Sequence, residues 1–91
     1  MKVKIEKYEE IAEALKVLAH PVRVTLVELM LTKGPTNVTT MYEKLQMPQS
    51  TISQHLAKLK AAKIIIGTRK GLEIYYEVAD NRTKEILSRL V

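Results

Sequence analysis

The chain has 91 residues, 46% of them hydrophobic, and no cysteine. That length allows one domain, residues 1–91, whose core buries roughly 60–65% of the surface the unfolded chain exposes. The missing cysteine excludes disulfides, thiol redox sensing and thiolate metal sites, and the formal net charge of +5 directs attention to where that charge lies.

Residues 6–18, EKYEEIAEALKVL, place Tyr8, Ile11, Leu15 and Leu18 at steps of three and four, one apolar stripe of a helix. Its acidic residues gather in the first two turns, where the helix dipole favours them. The stretch MKVKIEKYEE has no apolar segment of the kind a secretion signal requires. No apolar run approaches the roughly 20 residues that would span a membrane, so the expected location is a reducing cytoplasm.

HPVRVTLVELMLTKG follows. Pro21 suits the first turn of a second helix, where its missing N–H would be unpaired in any case, and His20 is placed to cap it. Val22, Leu26, Leu29 and Met30 form the stripe, widened by Val24, Val27 and Leu31. A helix this apolar belongs at the centre of the domain, and Gly34-Pro35 ends it.

NVTTMYEKLQM reads as a short third helix. Thr40 and Glu43 have capping-box spacing, with Thr39 an alternative cap; Val38, Met41 and Leu45 face inward. Met30, Met41 and Met47 read first as core fillers. QMPQS is a tight break before a fourth helix over residues 49–62. Ile52, Leu56 and Leu59 mark its buried side. Ser50, Gln54, Ala57, Lys58 and Ala61 lie opposite, with Thr51 on the flank.

The remaining elements are a hairpin and a fifth helix. Ile64 to Arg69 and Leu72 to Glu77 alternate as two strands, with the turn near residues 69–71. One of Tyr75 and Tyr76 belongs to the core and the other to the surface. A helix over about residues 80–90 begins at Asp80 or Asn81 and carries Ile86, Leu87 and Leu90.

The charge is concentrated in the middle of this series. No acidic residue stands between Glu43 and Glu73, a stretch that holds Lys44, Lys58, Lys60, Lys63, Arg69 and Lys70. The other nine basic residues face ten acidic ones, so the whole positive excess lies in this block. Such segregation fits a polyanionic partner; a solvated face with a chance bias is the competing reading. The third and fourth helices, joined across QMPQ, have helix-turn-helix proportions. The major groove of B-DNA admits one helix, whose N-terminal residues meet base edges. Gln49, Ser50, Thr51 and Gln54 are the side chains that geometry presents. Lys58 suits a phosphate, and Arg69 and Lys70 can reach the backbone or minor groove beside it.

These segments resemble the ArsR/SmtB family of bacterial winged-helix repressors over essentially the whole chain. LKVLAHPVRVTLVELM is similar to the family's second-helix entry. PQSTISQHLAKLKAAKII is similar to its recognition helix, with the Ser-x-x-Ser-x-His-Leu pattern at Ser50, Ser53, His55 and Leu56. RKGLEIYYEV is similar to its wing and second strand. The resemblance implies a mainly α fold with a small β-hairpin, a winged helix-turn-helix. It also implies a symmetric homodimer built from the first and last helices, here through Tyr8, Ile11, Leu15, Ile86, Leu87 and Leu90. Its partner would be double-stranded DNA carrying an imperfect palindrome, with half-sites about 10 bp apart. Ser53 and His55 join the DNA-binding set through this pattern, although local hydrogen bonding competes as the role of His55.

Departures from the family pattern point away from metal sensing and from any cofactor. The positions that hold cysteine ligands in relatives correspond to Asn37 and Thr39, and Arg82 stands near a ligand position of the last helix. Single histidines at His20 and His55 make a poor transition-metal site. No catalytic triad order, glycine-rich phosphate loop or paired carboxylate stands out, so an enzyme is not expected. A winged-helix module for protein interaction, without DNA binding, is the alternative function.

Overall fold

In the computed structural model, which describes residues 2–91, a 3-10 turn at Ile5–Tyr8 leads into helix α1, Glu9–Leu18. The α-helix therefore starts at Glu9 rather than at residue 6. Tyr8 offers no side-chain cap, and an uncapped start relaxes into the tighter 3-10 turn. The buried side of α1 is Ala14 and Leu18, with Val17 packed beside them. Tyr8 and Leu15 remain about half exposed, at 49% and 46%.

Helix α2, Pro21–Lys33, is the central element. The Nδ1 atom of His20 accepts the Val22 N–H at 3.1 Å and caps it. Leu26, Val27 and Met30 are buried, and Val22, Val24, Leu29 and Leu31 pack around them. Gly34 closes the helix with φ of 82°. The chain then forms a short strand, β1, Thr36–Asn37, which sequence periodicity does not reveal because two residues carry no period.

Helix α3, Val38–Leu45, is capped by Asn37, whose Oδ1 accepts the Thr40 N–H at 2.9 Å. This corrects the expected Thr40–Glu43 capping box and the Thr39 alternative. Asn is among the strongest N-caps, and its placement before Val38 draws Thr39 and Thr40 into the first turn. Gln46 adopts a left-handed conformation with φ of 53° and ends α3. Helix α4, Gln49–Ala61, begins directly after Pro48 and buries Ile52, Leu56 and Leu59, the expected three.

Strands β2, Ile65–Lys70, and β3, Glu73–Val78, form the hairpin. With β1 they make an antiparallel sheet in the order β1-β3-β2, with Thr36 opposite Tyr76 and Lys70 opposite Glu73. The turn is thus Gly71-Leu72, slightly later than expected. Gly71 has φ of 65°, the conformation a two-residue Gly-x hairpin loop requires at its first position. Ile64 and Ile65 are both buried, which breaks the expected alternation because Ile64 precedes the strand and fills the core below α4. Helix α5, Asn81–Leu90, is capped by Asp80 and buries Thr83 and Leu87. Thr83 Oγ1 donates to Asp80 Oδ2 at 2.7 Å, and Arg82 reaches Glu10 of α1 at 3.6 Å.

Gly67 lies opposite Tyr76, which packs against the core. A Cβ at Gly67 would stand 2.9 Å from Tyr76 Cε1 and 3.0 Å from Ile74 Cγ2. Gly67→Ala must displace that ring, and overpacking of this sort costs about 1–3 kcal/mol. A thermal melt should show a loss of about 4–20 °C; an unchanged melting temperature would mean that the ring moves freely.

The molecule is elongated, 52 × 26 × 21 Å, with a radius of gyration of 14.1 Å. A compact chain of this length would have about 12 Å. The consequence is uncovered apolar surface at both termini: Val3, Ile5, Tyr8, Leu15, Leu90 and Val91 are all exposed.

Candidate nucleic-acid interface

Helix α4 divides its side chains cleanly. Gln49, Ser50, Ser53, Gln54, Ala57, Lys58 and Ala61 are exposed, while Thr51 and His55 are half-buried. The exposed face has no acidic residue, and neither the first turn nor any side-chain cap competes for its N–H groups. The positive end of the helix is therefore open to an anion. Three contiguous elements hold it there: α3 packs on α4 across the Gln46–Pro48 break, and β2 follows from its end.

Arg69 and Lys70, at the end of β2, are exposed. Arg69 Nε donates to the Gly71 carbonyl at 3.2 Å, which staples the turn and leaves the rest of the guanidinium outward. The Lys70 ammonium stands 5.6 Å from the Tyr75 ring centroid, and the Tyr75 hydroxyl donates to Glu73 at 3.2 Å. Of the two tyrosines, Tyr76 serves the core and Tyr75 the hairpin surface. Leu72, at the tip, is 95% exposed; nothing in the sequence pattern singled it out.

Of the six expected dimer residues, Tyr8, Leu15 and Leu90 are exposed and Ile11 and Ile86 half-buried. Leu87 is only 3% exposed in the single chain, because it closes the core against β3, so it can offer a partner little area. Val3 and Ile5, which sequence periodicity missed, extend the exposed apolar surface.

A second feature escaped the sequence reading. The rings of His20 and His55 lie 4.5 Å apart, tilted by 53°. His55 Nδ1 and Arg23 Nε are buried without a hydrogen-bond partner among the described residues. Burial, with the neighbouring charges of His20, Arg23 and Lys58, holds the His55 imidazole below its ordinary value of 6.5. A histidine depressed in this way favours folding while neutral. Its contribution is present above pH 6.5 and is lost as the pH falls through the lower folded value. Denaturant melts between pH 7.5 and 5 should show this loss, and His55→Gln should flatten it; an equal slope in the variant would assign the effect elsewhere.

Two of the positions expected to match metal ligands of relatives make local contacts. Asn37 caps α3 and Arg82 bonds to Asp80 and Glu10. Among the described residues, no three His, Cys, Asp or Glu side chains are grouped to hold a metal, and no helix is long and apolar enough to cross a membrane.

Three helices, a helix-turn-helix and an arginine-tipped hairpin define a winged helix-turn-helix protein. Residues 20–66 match the pattern of the family described as "Bacterial regulatory protein, arsR family". The transcriptional repressor PagR of Bacillus anthracis is 38% identical over 89 residues, 98% of this chain and 89% of that protein. Its crystal structure superposes with a TM-score of 0.89, covering 97% of this chain and 100% of the crystallised chain. An uncharacterized HTH-type transcriptional regulator of Methanocaldococcus jannaschii, MJ1325, is 37% identical over 83 residues, covering 91% of this chain and 93% of that one. A solution structure from Mycobacterium bovis, titled as a homodimeric winged helix-turn-helix DNA-binding domain, shares the fold. Its TM-score is 0.83 at 22% identity, over 99% of this chain and 86% of that one. The chain belongs to the ArsR family of transcriptional regulators, a family of regulators and not of enzymes.

Proposed function

We propose that this protein is a homodimeric, sequence-specific transcriptional repressor of the cytoplasm that reads DNA with α4 and needs no metal to switch. The carrying observation is the acid-free face of α4, where Gln49, Ser50, Ser53, Gln54 and Lys58 are exposed together beside a basic wing. A face built only for solvation would mix carboxylates among its lysines. Gln54 can bond adenine through two hydrogen bonds, and Ser50 and Thr51 accept several bases. Lys58, Arg69 and Lys70 then position the duplex through phosphates. Residues 1–91 act as one domain. The exposed apolar surface of its termini supports pairing, as does the homodimeric M. bovis relative. A two-fold dimer would place its reading helices on half-sites about 10 bp apart in an imperfect palindrome.

Binding to a promoter fragment, titrated against salt, tests this reading. Counterion release should lower log affinity by about 0.9 per log salt for each phosphate held. Arg69→Ala should weaken operator and scrambled DNA alike and reduce the slope by about two, one phosphate per wing of the dimer. A slope unchanged by Arg69→Ala would make Arg69 a turn residue only. No measurable DNA binding at low salt would favour the protein-interaction module instead.

A further inference from the structure

A groove lined by α1, the later turns of α4 and Arg23 of α2 has a volume of about 430 Å³. Arg23 and Lys58 line it, with Lys16 and Glu13 contributed by α1. Three cations thus face one carboxylate. Among the described residues neither Arg23 nor Lys58 forms an ion pair; those present all belong to Arg82. A buried guanidinium nitrogen without an acceptor costs about 1–3 kcal/mol or more. Arg23 Nε itself is buried, but the guanidinium it belongs to lines the groove with no carboxylate paired to it, so its charge is uncompensated there.

We propose that this groove binds a phosphate-type oxyanion, held by Arg23 and Lys58. Arg23 supplies a planar fork of donors that suits a tetrahedral oxyanion, and Lys58 a mobile point charge. The first turn of α2 carries no acidic residue, so its dipole adds to the attraction rather than opposing it. Arg23 and Lys58 are also the cations whose charge acts on His55, so groove and histidine pair form one electrostatic unit. The charged groups around that unit are His20 and Arg23 from α2, Lys58 from α4, and Glu13 and Lys16 at the α1 rim. Burial first, and the charges of these cations second, hold His55 below its ordinary value, so an anion in the groove lessens the second of these. The occupant is either a backbone phosphate of bound DNA or a free phosphorylated small molecule. The chemistry is shared, and because His55 lies on the reading helix either one acts directly on α4.

Nuclear magnetic resonance of the full chain with inorganic phosphate tests the assignment, with chloride added to hold ionic strength constant. The expected result is a saturable shift of the Arg23 guanidinium and Lys58 ammonium signals at one fixed pH, with a smaller response at the neighbouring His55 ring. Lys58→Gln, at an exposed position that the fold does not need, should weaken binding by about tenfold or more, the scale of a charge-assisted bond. Arg23→Gln should abolish it. Shifts that stay linear in phosphate and equal in wild type and Lys58→Gln, or that spread evenly over all lysines, overturn the proposal. Repeating the titration with a duplex bound separates the sources: loss of the phosphate response assigns the groove to the DNA backbone, and a retained response assigns it to a free anion. The first titration needs no DNA, so this site and the DNA-reading function fail independently.

Discussion

Gln54→Ala should lower operator affinity by about thirtyfold or more per dimer while leaving binding to scrambled duplex nearly unchanged. A bidentate contact to a base discriminates by about 1–3 kcal/mol, and a two-fold dimer makes it twice. Gln54 is exposed on α4, so truncation leaves the fold intact and isolates the reading role. Competition binding against libraries varied at each operator position should locate the relaxed base step. Ser50→Ala should relax a neighbouring step more weakly, since a hydroxyl accepts several bases. Equal losses on operator and scrambled DNA would remove Gln54 from base reading and place it among the positioning contacts.

Leu15→Glu should produce a folded monomer that has lost operator binding. Leu15 is 46% exposed in the single chain, so the core does not depend on it, and a solvated Glu at that place in α1 is harmless to one copy. Across a two-fold apolar interface the same change buries two unpaired carboxylates, each costing several kcal/mol. Sedimentation equilibrium should give the monomer mass, with helix content by circular dichroism unchanged. Operator affinity should fall by more than about a hundredfold, because one half-site replaces two. A dimer that survives Leu15→Glu would place the interface away from α1.

Legibility followed the length of each pattern. Helices α2 and α4 span more than three turns each, so their apolar periods repeat enough to predict both extent and buried face; Ile52, Leu56 and Leu59 came out as expected. The polar face of α4 was legible for the same reason, since whatever does not face the core must face outward. What failed was decided by single contacts. Asn37 competes with Thr39 and Thr40 for one cap, and only the path of the chain settles which oxygen reaches the N–H. Strand β1 exists because β3 offers it a partner, a long-range fact absent from residues 36–37 alone. Leu87 was expected at the interface because the family resemblance put the last helix there; in the single chain it is only 3% exposed, and which apolar residues of a helix its own core takes is settled by the fold. The His20–His55–Arg23 cluster joins residues more than thirty positions apart in sequence and has no periodic signature, so only the folded chain brings it into view.

The most direct measurement is amide and side-chain shift mapping of the isotope-labelled chain, titrated with a duplex selected from genomic fragments. The expected outcome is saturation at two chains per duplex, with the largest changes over Gln49 to Lys58 and at Arg69 and Lys70. The surface of those residues is then what two paired copies turn toward the grooves. Changes confined to α1 and α5, or saturation at one chain per duplex with α4 silent, would contradict it.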